Sequence, residues 1–255
     1  MNNQKKERIP QYKEYPMKPE EYILTLLLSM GVCFCIGLIF YDHVILTLIL
    51  SLAGILYIPV RKKEQLRKRK ELLHIQFKDA LYFLSVSLSA GKSLETALME
   101  THKSLSGIYP DQECDMLREL EIMNSRILMN EPVEKAFYDL AQRSMIEDIK
   151  SFADVIMISK RAGANLVEVI KNTSATIREK VEIKQEIETL IAGKKLEQKI
   201  LTVMPFVMIL FLKSSSADFL APLTTTLYGR IVMTLALLMI LAGQIISQKV
   251  MRIEV

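Results

Sequence analysis

Val44-Ile45-Leu46-Thr47-Leu48-Ile49-Leu50-Ser51-Leu52-Ala53-Gly54-Ile55-Leu56-Tyr57-Ile58-Pro59-Val60 runs directly into Arg61-Lys62-Lys63-Glu64-Gln65-Leu66-Arg67-Lys68-Arg69-Lys70, and this junction decides the fold. An uncharged apolar stretch of this length reaches the lower edge of the roughly 17–25 residues a helix needs to cross a bilayer. A second such stretch, Tyr22–Phe40, precedes it across the short turn Tyr41-Asp42-His43, and two more, Ile200–Leu212 and Ile231–Ser247, stand near the other end. Between the pairs, residues 61–199 are rich in Lys, Arg and Glu. With 50% hydrophobic residues in 255, the chain holds membrane spans and one modest polar domain.

Basic residues set the topology. Lys5, Lys6, Arg8, Lys13 and Lys18 precede the first stretch, the 61–70 run follows the second, Lys194, Lys195 and Lys199 precede the third, and Lys249 and Arg252 follow the fourth. If each stretch crosses once, all of these flanks share one side, which the positive-inside rule makes the cytoplasm. The sequence thus predicts an all-α integral membrane protein in which two N-terminal and two C-terminal transmembrane helices flank a cytoplasmic helical-bundle domain. The expected boundaries are a tail over 1–21, spans at 22–41 and 43–60, the domain at 61–199, spans at 200–217 and 230–248, an extracytoplasmic loop at 218–229 and a tail over 249–255. Ile200–Leu212 alone is short for a span, and Pro205 would kink it unless neighbours satisfy the freed carbonyl. It reads as a span extended toward Leu220, with Lys213 snorkelling outward, or as a re-entrant or interfacial segment. The first reading keeps Lys249 and Arg252 inside. Tyr22, Tyr41, Tyr57 and Tyr228 are the expected interfacial anchors in a chain without Trp.

Helical periodicity organises the domain. Phe77, Leu81, Leu84 and Leu88 form one apolar stripe that ends at Ala90-Gly91, and Ser93 caps a helix carrying Leu94, Ala97 and Leu98. After the loop at Ser106–Asp111, a helix is predicted over Glu113–Met129, with Met116, Leu117, Leu120 and Met123 inward. Asn130-Glu131-Pro132 reads as a helix start before Val133, Ala136 and Phe137. A further helix covers Ile146–Lys160. Asn165 with Glu168 resembles a capping box that opens the longest helix, whose stripe of Leu166, Ile170, Thr173, Ile177 and Val181 continues through Ile187 and Leu190 toward the third apolar stretch. The breaks at Gly91, Asn130 and Gly163 share one plan of helix stop, cap and apolar restart, which is either a repeated device or ordinary helix-turn-helix grammar.

Several classes of function find no support in these residues. No Gly-rich nucleotide loop is present, and His43, His74 and His102 are isolated, so no catalytic residues are assigned. His74 follows a paired span as a phosphoacceptor would, but lacks the acidic neighbour and downstream proline of that motif. Cys33, Cys35 and Cys114 form no ligand cluster, and neither a metal nor a cofactor is implied. The 61–70 run abuts a span and lacks interleaved aromatics, which favours contact with anionic lipid over nucleic acid. Gly31, Gly37, Gly54 and Gly243 are positions for close helix packing within an oligomer or around a pore.

Phe77-Lys78-Asp79-Ala80-Leu81 followed by Leu88-Ser89-Ala90-Gly91-Lys92-Ser93-Leu94-Glu95-Thr96-Ala97-Leu98 resembles the opening motif of the type II secretion system F domain. Arg161-Ala162-Gly163-Ala164-Asn165-Leu166 is similar to that domain's later Gly-x-x-Leu motif, and Met204-Pro205 resembles its entry into the membrane. The similarity covers about residues 75–212, and the layout of spans resembles the tight-adherence (Tad/Flp) pilus branch; Asn130 stands where the family often has Gly. The resemblance implies an inner-membrane platform for assembling a type IV-like pilus or a secretion filament. The partners it implies are a cytoplasmic ATPase, pilin subunits and a paralogous platform protein, within an oligomer. The connectors at Gly91 and Lys92 and at Arg161 and Gly163 are the expected partner-facing positions; otherwise their glycines simply end helices. A small transporter or a non-enzymatic membrane scaffold is the competing expectation.

Overall fold

Pro19, Glu20 and Glu21 open the first helix, α1 (Pro19–Tyr41), with a residue whose φ suits a first turn and with acids placed against the positive end of the helix dipole. The structure, a computed structural model, describes residues 10–17, 19–41, 43–109, 114–162, 165–215 and 217–250. Lys5, Lys6, Arg8, Lys18, Asp42, Pro110, Asp111, Glu113, Gly163, Ala164 and Arg252, on which some expectations rest, lie outside the described residues. Every regular element among the described residues is helical. After α1 come α2 (Val44–Leu52), a 3-10 turn (Ala53–Leu56), α3 (Tyr57–Ser89), α4 (Leu94–Ile108), α5 (Asp115–Leu128), α6 (Val133–Ser144) and α7 (Glu147–Arg161). The chain then continues in α8 (Leu166–Ser215), α9 (Ala217–Thr225) and α10 (Leu227–Val250).

Three segments are long and apolar enough to cross a bilayer: Pro19–Tyr41, the apolar part of Val44–Ser89, and Leu227–Ser247. This is a membrane protein by length and composition. Ile200–Leu212, expected as the third of four spans, is not among the three and instead forms part of the 50-residue helix α8. Pro205 removes the donor for the Leu201 carbonyl, yet α8 continues to Ser215. The expected loop at 218–229 is largely helical, because α9 runs to Thr225 and the Thr226 hydroxyl caps α10 by accepting from Gly229 N at 3.1 Å. Gly229 is required there, since a Cβ would lie 2.4 Å from the Pro222 carbonyl oxygen.

The chain divides into two compact units. One comprises Met17–Lys62 with Glu186–Val255. In it, α1 and α2 form a tight hairpin: a Cβ on Gly37 would come within 2.9 Å of Thr47, and one on Gly54 within 2.9 Å of Met30 N. Phe40, Met233 and Leu237 form its buried cluster, joined by Phe206 and Ile209 of α8. The Tyr41 hydroxyl meets Thr234 Oγ1 at 2.9 Å. Lys213, expected to snorkel outward, donates to the Leu38 carbonyl at 3.1 Å.

The other unit comprises the described part of Met1–Pro16 with Lys63–Gln185. Its core is the predicted stripes closed on one another: Phe77, Leu81, Leu84 and Leu88 of α3 with Leu98, Met116, Leu120, Phe137, Phe152, Ile156, Ile170 and Val181. The last helix's stripe is covered only through Val181, and Leu190 is 73% exposed, because the bundle core ends before it. Side-chain contacts fix the helix directions. His74 lies beside Asp148 and Phe77 beside Phe152, so α3 and α7 run the same way. Glu100 pairs with Ser87 and Tyr109 with Asp79, so α4 runs back along α3. Asp115 pairs with Arg69 and Glu119 with Arg143, so α5 rises with α3 and α6 returns. Lys180 meets Asp148, so α8 descends along α7. The turns α3–α4, α5–α6 and α7–α8 therefore share one end of this bundle, opposite to the end where α3 enters it and α8 leaves.

Candidate functional site

The three shared-end turns are the three breaks that the sequence singles out, and two of them have one geometry. At the first, Gly91 takes φ +81°, its N–H donates to the Leu88 carbonyl at 3.1 Å, and Lys92 N donates to the Ser87 carbonyl at 3.3 Å. At the second, Asn130 takes φ +65°, its N–H donates to the Ile127 carbonyl at 2.9 Å, and Glu131 N donates to the Arg126 carbonyl at 3.1 Å. Both are Schellman closures, in which a left-handed residue lets the chain satisfy the last helical carbonyls. Asn130 thus does at the second turn what Gly91 does at the first, since asparagine tolerates that backbone region better than most residues. The restarts differ. Ser93 accepts from Thr96 N at 3.3 Å, whereas Pro132, expected inside the first turn of α6, sits at the N-cap and offers no side-chain acceptor. At the third turn Asn165 Oδ1 accepts from Glu168 N at 3.4 Å, one half of the predicted capping box, while Glu168 Oε2 accepts from the Asn165 side-chain amide at 3.5 Å rather than from its backbone.

Of the expected partner-facing residues, Gly91, Lys92 and Arg161 are exposed at this end of the bundle, and Gly163 lies outside the described residues. Lys92 is ion-paired with Glu100, whose carboxyl it holds below the usual range. Arg161 lines a shallow groove of about 330 Å³ between α6 and α7 with Glu134, Lys135, Tyr138, Met157 and Lys160. Lys160 Nζ lies 2.8 Å from both Glu134 oxygens. Burial pushes the Glu134 carboxyl up, and the lysine outweighs it, leaving the group below its ordinary value. Leu128 and Met129, the last residues before the α5–α6 turn, are 74% and 81% exposed. Sequence reasoning placed Met129 within a helix and assigned neither residue to a surface, because the helix and its register were legible but its last solvent-facing turn was not.

The opposite end carries a buried network that no motif announced. Glu119 is 0% exposed and receives both Arg143 Nη atoms, at 2.6 and 2.5 Å, together with the Tyr12 hydroxyl at 2.9 Å. Arg143 also donates to Asp139 at 2.9 Å and to the Pro10 carbonyl at 2.8 Å. Burial and the Glu119 carboxylate push the Tyr12 hydroxyl far up. Arg69 grips Asp115 with two bonds of 2.6 Å while its guanidinium stacks 4.9 Å from the centre of the Tyr12 ring. Part of the expected tail is thus core, and Arg69 faces inward rather than toward lipid. Arg67 and Lys68 form i,i+4 pairs with Glu71 and Glu64.

His74, the isolated histidine of α3, has its Nε2 2.8 Å from Asp148 Oδ2, while Lys180 holds Asp148 Oδ1 at 2.8 Å. Contact with His74, then Lys180, holds the Asp148 carboxyl down at about 2 against the penalty of burial. Among the described residues no group of three His, Cys, Asp or Glu side chains converges as a metal site. Comparison with family models, curated proteins and solved structures finds no match for this chain.

Proposed function

We propose that the protein is an inner-membrane platform of a type IV-like (Tad/Flp) pilus or type II secretion assembly machine, which couples a cytoplasmic ATPase to the movement of pilin subunits. The observation that carries this reading is continuity of helix. The chain passes between bundle and apolar segments three times, and two of these passages, along the helical run Val44–Ser89 and along α8, are helical throughout. Unbroken helix gives a displacement imposed on the bundle a covalent, hydrogen-bonded route to the apolar segments. The turn end of the bundle, with Lys92 and Arg161 exposed, is the face offered to the motor. The basic flanks support a reading with the bundle and both termini in the cytoplasm, two spans on each side of the bundle and residues 200–217 as the third. A paralogous platform protein and pilin subunits are the membrane partners of this reading. Anionic lipid contact falls to the exposed members of the Arg61–Lys70 run.

The test is in-cell crosslinking followed by detergent extraction of the tagged full-length chain and mass spectrometry. The expected result is a secretion-type ATPase crosslinked within residues 61–199, together with a second protein of similar layout. Self-association alone would overturn the platform reading and move weight to a transporter or a non-enzymatic scaffold. Transport into vesicles without any ATPase would select the transporter.

A further inference from the structure

We infer that the groove between α6 and α7 at the turn end docks an acidic, apolar-anchored segment of a partner protein; this rests on the platform reading in that the partner is the motor. The groove has an apolar floor and a basic rim. Tyr138 and Met157 form the floor, and Lys135, Lys160 and Arg161 stand around it against a single acid, Glu134. Lys160 neutralises Glu134, and the Lys135 contact to Glu131 is loose at 3.7 Å with the lysine side chain 72% exposed. Arg161 is exposed and has no ion-pair partner among the described residues. The rim is thus left with net positive charge and complements carboxylates, which an Arg fork binds best.

At the same end of the bundle, Leu128 and Met129 before the turn into α6 are 74% and 81% exposed, and Ile158 on α7 is 65% exposed. Tyr, Met and Arg are the residue types enriched where partners bind, and the apolar ones gain by losing water on docking. An occupant that satisfies both features carries acids spaced around one or two large apolar side chains. Three cations without a continuous basic stripe do not make a nucleic-acid track.

The experiment is site-specific photocrosslinking from Tyr138 and Met129 in the full-length protein in cells, with the attached peptide sequenced. Crosslinking from Met99, exposed on α4, serves as the comparison site. The expected result is one partner segment of net negative charge attached at both positions and not at Met99, with yield falling about tenfold in Lys135→Glu/Arg161→Glu. The milder Lys135→Gln/Arg161→Gln variant separates loss of docking from misfolding, and is expected to weaken the crosslink while the thermal melt of the detergent-solubilised chain stays unchanged. Adducts to lipid, adducts to a second copy of this chain, no adduct, or adducts indifferent to charge reversal each overturn the inference. An acidic segment from a protein that is not an ATPase would keep the groove and remove the platform reading. An ATPase crosslinked elsewhere on the bundle would do the reverse.

Discussion

The two units of this chain solve helix packing with different chemistry. The bundle buries large side chains: Phe152 meets Phe77 and Phe137 edge to face with centroids 5.6 and 5.1 Å apart, and Leu73, Leu81, Leu98, Leu105 and Leu120 are sealed around them. The apolar unit leaves its large side chains outside, with Leu24, Leu28, Ile45 and Leu56 all more than 60% exposed, and joins α1 to α2 at Gly37 and Gly54. The Thr47 and Ser51 hydroxyls turn back on their own helix, Thr47 to the His43 carbonyl at 2.9 Å and Ser51 to the Leu48 carbonyl at 2.9 Å. Water drives large apolar side chains together, but lipid gives no such drive, so helices in a bilayer associate through close backbone approach. Charge follows the same division. The bundle accommodates a fully buried Glu119 because Arg143 and Tyr12 satisfy it, whereas the Gly37–Thr47 contact involves no titratable group.

The largest effect is expected where that charge is unpaired. Arg143→Met leaves Glu119 buried without its cation and should destabilise the bundle by about 3–5 kcal/mol. Adding Glu119→Met should recover most of the loss, because the desolvated charge is removed along with its partner. Denaturant titration of the solubilised full-length chain, read by hydrogen exchange in α5 and α6, measures both. A double variant no better than the single one would show that the network acts through its geometry and not its charge.

The apolar unit should instead be sensitive to single methyl groups. Gly54→Ala brings a Cβ to 2.9 Å from the Met30 and Ser29 backbone, atoms that cannot yield as a flexible side chain does. The expected cost is about 1–3 kcal/mol, read as a lower detergent concentration for loss of the α1–α2 hairpin. Gly31→Ala and Gly243→Ala, with nothing within 4 Å, should be neutral or slightly stabilising and serve as controls. A Gly54→Ala chain that behaves like these controls would remove the contrast between the units.

How much of this was legible depended on whether the signal was periodic. Phe77, Leu81, Leu84 and Leu88 fall on one face of α3 because spacing alone fixes a helix face, and Asn165 with Glu168 forms its cap because the donors and acceptors are local. The three turns were visible as breaks. That they share one end follows from the antiparallel closure of helices, which only long-range contacts such as Lys180 with Asp148 reveal. Tyr12 could not be found, since an aromatic residue in a charged tail carries no period. Nor could the 3-10 turn at Ala53–Leu56, which precedes Pro59, a residue with no N–H to give the Ile55 carbonyl. Of the candidate site, Arg161 was legible as a connector residue, but the groove was not, because Tyr138, Lys135 and Glu134 lie on another helix.

Acid should separate the units further. Asp148 titrates at about 2 in the folded chain, below the ordinary 3.8, so it favours folding fully above pH 3.8, and that contribution is lost as pH falls toward 2. The bundle should therefore lose stability in that window. Lys180→Met, which removes the second contact, should flatten the dependence, as monitored by the thermal midpoint of the solubilised chain against pH. An unchanged slope in Lys180→Met would assign the acid sensitivity to the His74 contact or to other carboxylates.

The smallest effects concern the turns. Among the described residues, Gly91, Asn130 and Met145 have positive φ, and all three belong to the bundle. They differ in how well the side chain suits that backbone. Glycine pays nothing sterically, asparagine little, and methionine about 1 kcal/mol or more. Met145 sits at φ +55°, 63% exposed, so its side chain has little burial to lose. Met145→Gly should therefore stabilise the bundle by about 0.5–1 kcal/mol, after the extra entropy of glycine in the unfolded chain is subtracted. Asn130→Gly should change stability by less than about 0.5 kcal/mol, and Gly91→Ala should destabilise by about 1 kcal/mol although its Cβ meets nothing within 4 Å. The three variants rank one variable, backbone strain, with packing held constant. If Gly91→Ala proved neutral while Met145→Gly stabilised, the α3–α4 turn would have to be able to relax out of its left-handed conformation, and the equivalence drawn between Gly91 and Asn130 would fail with it.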